Sequence, residues 1–255
     1  MTRRALLLVL LTATTVAVFS QTLRFEVASV RPSAPNKVGG GFDAPPGRFE
    51  VENQPLSQMI FFAYDTDRFR LTGPEWIYRE RFDIVATGAV TGQTKLMLKA
   101  LLQDRFGLRA HVERRPVPVY VLTVLRSDGT LGPNLRPVKV DCSQREPLPD
   151  GMIPCSTRNQ PTGTLVARGT TWANAILHRE MAAAVNRLVI DETGLTGQFD
   201  MRLEWSDPIS AAEPQSADRP SFITAVREQL GLKLEAAERP VEVLVIDSVN
   251  RPTPD

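Results

Sequence analysis

The stretch DETGLTGQFDMRLEW, residues 191–205, contains four carboxylic acids, and three of them stand close to its glycine-rich turn. Two of them precede the turn, and the third, Asp200, follows it. Carboxylates grouped in this way can act as general acid, general base or nucleophile in a hydrolase. The alternating apolar and polar residues of QFDMRLEW instead indicate a half-buried strand that follows a turn built on Gly194 and Gly197. We favour the strand and turn, and keep the hydrolase as the alternative.

A hydrolase of this kind needs a base close to its acids, and the chain has two histidines. His111 lies on a predicted strand, on the face opposite its apolar residues. His178 lies on a predicted helix two residues before Glu180, a spacing that points the two side chains apart. The alternative therefore requires Asp191, Glu192 and Asp200 to converge with one of these histidines in the fold.

Four common catalytic motifs are absent from the sequence. It contains no H-E-x-x-H, G-x-S-x-G, S-x-x-K or paired C-x-x-C motif, which are typical of zinc peptidases, serine hydrolases, penicillin-recognising enzymes and thiol oxidoreductases. We therefore predict no catalytic residue, no cofactor and no metal site, and favour a protein that is not an enzyme.

The two cysteines, Cys142 and Cys155, lie in the Pro-rich segment CSQREPLPDGMIPC. We predict a disulfide between them, because exported proteins retain such bonds. A thiol nucleophile or half of a metal site is the alternative, although only the two histidines could complete a zinc site with neutral nitrogen ligands.

The N-terminus is typical of a secretory signal peptide. Two arginines precede a short apolar run, and Val18-Phe19-Ser20 resembles a cleavage site before Gln21. We expect a periplasmic or extracellular protein with no permanent membrane span, and an uncleaved anchor remains the alternative. Lys and Arg number 30 against 29 Asp and Glu, so the charge pattern predicts no nucleic-acid partner.

An internal duplication is visible in the chain. GLRAHVERRPVPVYVLTV from Gly107 aligns without gaps with GLKLEAAERPVEVLVIDS from Gly231, and seven of the eighteen positions are identical. Each half is predicted as β-α-β-β-α-β. The fold class is therefore α+β, with two duplicated ferredoxin-like (split β-α-β) units, antiparallel sheets and helices on one face.

This interpretation divides the chain into six segments. They are a signal peptide (1–20), a leading strand and Pro/Gly-rich loop (21–47), a first repeat (48–126), a Pro-rich linker with the disulfide (127–163), a second repeat (164–250) and a tail (251–255).

Helical spacing predicts which side chains face the core. Asn53 is predicted as a helix cap, and the glycines Gly107 and Gly231 are predicted to end helices. The predicted inward positions are Leu56, Met59, Ile60, Ala63, Leu98, Leu101, Leu102, Phe106, Trp172, Ile176, Ala183, Ile223, Val226 and Leu230.

Three aromatic residues near the turns, Trp76, Tyr78 and Trp205, are candidate binding contacts. Core packing is the alternative for each of them.

Several blocks in order carry a family resemblance: FEVASVRPS, GRFEVENQPLSQMIFFAY, GPEWIYRERFDIVA, LMLKALLQDRFGLRAHVERRPVPVYVLTV, IDETGLTGQFDMRLEW and LGLKLEAAERPVEVLVIDSVNRP. Together they resemble a soil-associated exported protein family of unknown function that is expanded in acidobacterial genomes. The resemblance implies export but no activity or site residue. We therefore expect a non-catalytic binding module whose partner is an envelope protein or exported ligand, with a secreted hydrolase as the alternative.

Overall fold

A computed structural model describes residues 23–144, 146–160, 163–172, 175–206 and 219–252. The predicted signal peptide lies outside the described residues, as do the side chains of Ile176 and His178.

The structure has six strands and three helices between residues 23 and 125. They are β1 (Val27–Pro32), β2 (Gly41–Asp43), β3 (Gly47–Pro55), α1 (Leu56–Tyr64), β4 (Leu71–Thr72), α2 (Trp76–Arg79), β5 (Arg81–Ala89), α3 (Thr94–Phe106) and β6 (Arg109–Val124).

The rest of the described chain adds six strands and two helices. They are β7 (Leu135–Val138), β8 (Ser156–Gln160), β9 (Thr164–Thr171), α4 (Ala175–Ala184), β10 (Leu188–Asp191), β11 (Gln198–Glu204), α5 (Phe222–Leu230) and β12 (Leu232–Ser248).

The chain forms two compact units. Of the residues that the structure describes, those within 1–68, 72–111 and 245–255 form unit 1, and those within 69–71 and 112–244 form unit 2. Each unit has a four-stranded antiparallel sheet, in the order β1-β5-β3-β2 in unit 1 and β7-β11-β9-β8 in unit 2. A third sheet has the order β10-β6-β12-β4, in which β10 runs parallel to β6.

The fold is thus mixed α/β with antiparallel sheets, few helices and a high sheet content. The ferredoxin-like arrangement predicted from the sequence is not confirmed. A split β-α-β unit would place the four strands of one repeat in a single sheet. Here β3 and β5 share one sheet, whereas β4 and β6 belong to another.

The predicted C-terminal ends of α3 and α5 are confirmed. α3 ends at Gly107 and α5 ends at Gly231, both in the left-handed conformation, with φ of 58° and 67°. Glycine adopts this conformation without the steric penalty of a side chain. The predicted inward positions of α1 and α3 are all buried.

The predicted inward positions of the later helices were partly wrong. Ile223 and Ala183 are exposed, while Phe222 and Ala225 are buried. α5 begins directly after Ser221, whose hydroxyl accepts a hydrogen bond from the Thr224 N–H, and the buried face therefore begins one residue earlier than predicted.

Edge-to-face aromatic pairs lie in the cores of both units. Phe82 packs against Phe106 in unit 1, with 5.2 Å between ring centroids. Trp172 packs against Phe199 at 5.6 Å in unit 2. The alternation in QFDMRLEW holds, because Phe199, Met201 and Leu203 are buried, and β11 therefore has one core-facing side.

Candidate functional site

The most distinctive polar site of unit 1 is a β-bulge between β3 and β5. The register between the two strands shifts between Val51 and Gln54, so that Glu52 and Asn53 together lie opposite Asp83. Asn53 is buried and has a φ of 49°. It does not cap α1 as predicted, because the residue before that helix is Pro55, with no side-chain cap.

The carboxylate of Asp83 holds this bulge and the loop that crosses it. Its Oδ1 accepts hydrogen bonds from the Asn53 N–H at 2.7 Å and from the Ser33 hydroxyl at 2.8 Å. Its Oδ2 accepts from Lys37 Nζ at 3.2 Å. Asp83 therefore ties residues 33–37 to the sheet.

Asn53 completes the attachment of the same loop. Its Nδ2 donates to the carbonyl oxygens of Lys37 at 2.8 Å and Gly39 at 2.7 Å. A Cβ at Gly40 would lie 2.2 Å from the carbonyl oxygen of Glu52. The loop backbone therefore approaches the bulge too closely for any residue larger than glycine, and we call residues 33–40 the unit 1 loop.

The pKa shifts of Asp83 and Lys37 are consistent with an ionised Asp83 carboxylate. Burial alone would raise the pKa of Asp83, but hydrogen bonds from the Asn53 N–H, Ser33 and Lys37, together with the charge of Lys37, lower the pKa below its usual value on balance. A hydrogen bond to Glu52 is the main cause that raises the pKa of Lys37. The carboxylate is therefore charged at neutral pH.

Unit 2 contains a corresponding bulge. The register between β9 and β11 shifts so that Arg168 and Gly169 lie opposite Asp200. The Gly169 N–H donates to Asp200 Oδ1 at 2.8 Å, and Gly169 has a φ of 59°. Arg168 Nε donates to Asp150 at 2.7 Å. We call Asp83 and Asp200 the bulge aspartates.

Asp150 belongs to the disulfide loop, residues 142–155. The predicted Cys142–Cys155 bond is confirmed, with 5.4 Å between the Cα atoms. Gln198 on β11 holds the chain next to this loop, because its side-chain amide accepts from the Val140 N–H at 2.9 Å and donates to the Val140 carbonyl at 3.0 Å. The disulfide loop is thus attached to its sheet at several points.

The acids that precede the glycine-rich turn, Asp191 and Glu192, form bonds within unit 2. Asp191 Oδ2 accepts from Trp172 Nε1 at 2.8 Å, and Asp191 Oδ1 accepts from the Thr193 N–H at 2.9 Å. Glu192 pairs with Arg239, with 3.1 Å between Oε1 and Nε.

The structure describes the side chain of one of the two histidines. His111 Nδ1 lies 2.8 Å from Asp247 Oδ1 at the surface of unit 1, whereas the His178 side chain is outside the described part.

Gly194 and Gly197 have φ of 69° and 90°, with no atom within 4 Å of a Cβ built on either. The turn therefore needs glycine for its conformation rather than for space.

The three candidate aromatic contacts occupy different environments. Trp205 is 8% exposed and packs edge to face on Phe222 at 5.2 Å. Trp76 is partly exposed beneath the guanidinium of Arg251, at 4.9 Å from the ring centroid. Tyr78 is exposed at the edge of the same helix, α2. Trp205 therefore belongs to the core, while Trp76 and Tyr78 lie at the surface.

The described loops also expose apolar side chains that the sequence analysis did not single out. In the unit 1 loop Val38 is 95% exposed, and in the adjoining β2 Phe42 is 38% exposed. The Phe42 ring stacks on Phe62 of α1, with 5.7 Å between centroids. Ile153 of the disulfide loop is exposed as well.

The shared role of the bulge aspartates was not predicted, although the sequence contains a signal for it. RFDIVA in the first half and QFDMRL in the second place an F-D pair at equivalent strand positions. The sequence alone indicated Asp200 only as a possible catalytic acid, and it did not single out Asp83.

Within the described ranges, no group of three or more His, Cys, Asp or Glu is placed to hold a metal ion. The helices described here include none that is long and apolar enough to cross a membrane.

The geometry defines a mixed α/β protein with two antiparallel sheets, each of which has an aspartate opposite a bulge. Asp83 bonds the unit 1 loop directly, whereas Asp200 lies beside Arg168, which bonds the disulfide loop. Residues 57–249 match the family described as "Protein of unknown function (DUF3738)", and the chain belongs to this family. Comparison with curated proteins and with solved structures gave no match.

Proposed function

We propose that the chain is an exported binding module without a catalytic role, and that the unit 1 loop and the disulfide loop are its recognition elements. The observation that carries this proposal is the shared use of the bulge aspartates. Asp83 bonds the unit 1 loop directly, and Asp200 lies beside Arg168, which bonds Asp150 in the disulfide loop. Loops positioned by a rigid scaffold are the usual place for binding residues.

Fixed loops favour binding for an energetic reason. A loop that is already ordered loses less conformational freedom when a partner binds, so that more of the contact energy appears as affinity. Val38, Phe42 and Ile153 expose apolar side chains on or beside these loops, and these side chains are the positions at which we expect a partner to make contact.

The same observations support descent from a duplicated ancestor. The sheet orders β1-β5-β3-β2 and β7-β11-β9-β8 place equivalent strands at equivalent positions. The bulge and its aspartate occur at the same point of each sheet. We therefore keep the repeat boundaries 48–126 and 164–250 as part of the proposal.

Location and ancestry complete the proposal. A signal peptide over residues 1–20 would deliver the chain to the periplasm or the cell exterior, where a disulfide is stable. The resemblance to the soil-associated family expanded in acidobacterial genomes supports an envelope protein or exported ligand as the partner. The bonds from Asp191 to Trp172 and from Glu192 to Arg239 favour this function over a secreted hydrolase.

Site-specific photo-cross-linking in the producing bacterium tests the proposal. A benzophenone amino acid would replace Val38 in one variant and Ile153 in another. Val112, an exposed apolar residue of β6 outside both loops, gives the matched control. We expect a discrete cross-linked product from a loop position and none from Val112. Equal labelling at all three positions, or a cytoplasmic protein that retains residues 1–20, would contradict it.

A further inference from the structure

Resting on the proposed function, we propose that the Cys142–Cys155 bond is a redox switch for the disulfide loop. A protein dithiol of the C-x-x-C kind, present in the same compartment, reduces the bond, and reduction releases part of the loop and weakens partner binding. Exposed or strained disulfides are the ones that are reduced readily and serve regulation. The exposure of the bond, the backbone of Cys155 and a hydrogen-bond donor beside both sulfurs support this role.

The bond lies at the surface, and one of its cysteines has an unfavourable backbone. Cys142 is exposed, as are its neighbours Asp141 and Ser143, so a dithiol can approach this cysteine. Cys155 is half-buried and has a φ of 58°, a left-handed conformation that is unfavourable for residues with a Cβ. The closed bond therefore holds Cys155 in a conformation that the reduced chain can leave.

Gln198 directs a hydrogen-bond donor at both sulfurs. Its side-chain amide is oriented by Val140, because it accepts from the Val140 N–H and donates to the Val140 carbonyl oxygen. The Gln198 Nε2 lies 3.2 Å from Cys142 Sγ and 3.5 Å from Cys155 Sγ. An N–H group at this position stabilises the thiolate that leaves when the bond is attacked. Gln198 therefore favours reduction of the bond.

Reduction proceeds by thiol–disulfide exchange. A thiolate of the dithiol attacks the sulfur of the exposed Cys142, the S–S bond breaks, and Cys155 leaves as a thiolate that takes up a proton. The second thiol of the reductant then loses its proton, attacks the mixed disulfide and releases Cys142, which is protonated in turn. Two electrons and two protons reach the protein, and the dithiol becomes a disulfide.

The two ends of the disulfide loop depend on the bond to different degrees. Met152 is buried, and Asp150 bonds Arg168 of β9, so the later part of the loop has its own contacts with the sheet. Residues 142–144 and 146–147 are exposed, and the disulfide ties this exposed stretch to the end of the loop. Reduction therefore frees the exposed stretch, while the rest of the loop stays packed.

The reduction rate of the purified, oxidised protein tests the role of Gln198. Dithiothreitol is the dithiol probe, free thiols are trapped with a maleimide, and the intact mass gives the reduced fraction over time. Gln198→Glu keeps an oxygen that accepts from Val140 but lacks the N–H donors, and we expect it to be reduced about tenfold more slowly. Gln144→Glu places the same charge close to Cys142 and should change the rate by less than about twofold.

The direction of the Gln198→Glu effect separates the switch from a structural role. If Gln198 only held Val140 beside the loop, its replacement would loosen the chain and make the bond easier to reach. A reduction rate that is unchanged or faster in Gln198→Glu therefore overturns the switch, whereas a slower rate supports it.

The thiol state in the producing bacterium tests whether the bond is reduced there. Cells are quenched with acid, and free thiols are alkylated before the protein is purified under denaturing conditions. We expect a reduced fraction that grows when dithiothreitol is added to the medium. A protein that is fully oxidised in both exponential and stationary phase without added dithiothreitol overturns the switch.

Photo-cross-linking connects the bond to partner binding. With the benzophenone amino acid at Ile153, the yield should fall by about tenfold in the variant Cys142→Ser/Cys155→Ser, because a partner must then order the freed stretch. The yield from Val38 in unit 1 should stay the same. A preserved near-ultraviolet circular dichroism spectrum, to which the buried Trp172 contributes, shows that unit 2 of this variant is folded.

The outcomes separate the switch from the proposed function. Equal yields from Ile153 with and without the bond overturn the switch and leave the proposed function intact. The same conclusion follows if Val38 cross-links to a partner and Ile153 never does. If neither position cross-links, the proposed function and the switch are both overturned.

Discussion

The carboxylate of Asp83 lies 2.7 Å from the backbone nitrogen of Asn53, a buried residue in the left-handed conformation. Such a conformation is unusual for a residue other than glycine and persists when its surroundings fix it. In unit 2 the same bond joins Asp200 to Gly169, where the glycine has no steric cost. Of the two bulge aspartates, Asp83 therefore stabilises the less favourable backbone conformation.

We predict that Asp83→Asn lowers the free energy of unfolding by about 1–3 kcal/mol, the usual cost of leaving buried donors unsatisfied. The amide would keep one acceptor oxygen but lose the charge that Lys37 and the Asn53 N–H contact. Urea unfolding followed by circular dichroism measures the change. Asp43→Asn, at an exposed aspartate of β2, is the matched control and should be neutral. If the two substitutions lower the free energy of unfolding equally, Asp83 does not stabilise the bulge and the unit 1 loop.

The contribution of Asp83 should depend on pH. Because its folded pKa is lowered from 3.8, the ionised carboxylate stabilises the fold above the unfolded pKa, and this stability is lost as the pH falls through the folded pKa. The stability difference between wild type and Asp83→Asn should therefore be constant between about pH 5 and 7 and shrink below about pH 4. Urea midpoints across this range give the test, and a difference that grows towards low pH would refute it.

Gly194→Val and Gly197→Val should each lower the melting temperature. A left-handed backbone costs about 1–2 kcal/mol for residues with a Cβ, and each kcal/mol lowers the Tm of a chain of this size by about 2–4 °C. Gly41→Val is the control, since Gly41 has no positive φ and equally open space. Unchanged melting together with lost partner binding would make the turn a recognition loop.

Loss of the disulfide should destabilise unit 2. Cys142 and Cys155 are 13 residues apart, and closing a loop of this size contributes about 3 kcal/mol. Denaturant unfolding of the double variant Cys142→Ser/Cys155→Ser should match that of the reduced wild type. If reduction of the wild type leaves the unfolding midpoint unchanged, the bond does not stabilise the fold.

Trp205→Ala and Trp76→Ala should have different effects. Removal of the buried Trp205 side chain should cost about 3–5 kcal/mol. Removal of the partly exposed Trp76, which contacts Arg251, should cost about 1 kcal/mol or less. Thermal unfolding distinguishes them. A large loss for Trp76 would show that it supports the core, and a negligible loss for Trp205 would contradict its placement in the core.

Signals that depend on neighbours in sequence were predictable. The alternation around Met201 and the glycine ends at Gly107 and Gly231 need only a few adjacent residues, and the cysteine pair required only composition and spacing. The signal peptide and the repeat boundaries stay predictions.

Features that depend on distant partners were not predictable in the same way. Asn53 before an apolar helix is typical of a cap, and only the presence of Asp83 on another strand shows that it belongs to a bulge. The pattern of β4 predicts a strand but not its sheet, because strand pairing is decided by contacts far apart in sequence.

Unit 2 is assembled from both halves of the chain. Residues 69–71 of the first half belong to it, and the Leu244 N–H donates to the Arg70 carbonyl at 2.9 Å. β10 from the second half pairs with β6 from the first. A gene fragment that encodes one half would therefore encode an incomplete sheet. A chimera that joins one half of this chain to the other half of a relative must therefore also match these strands.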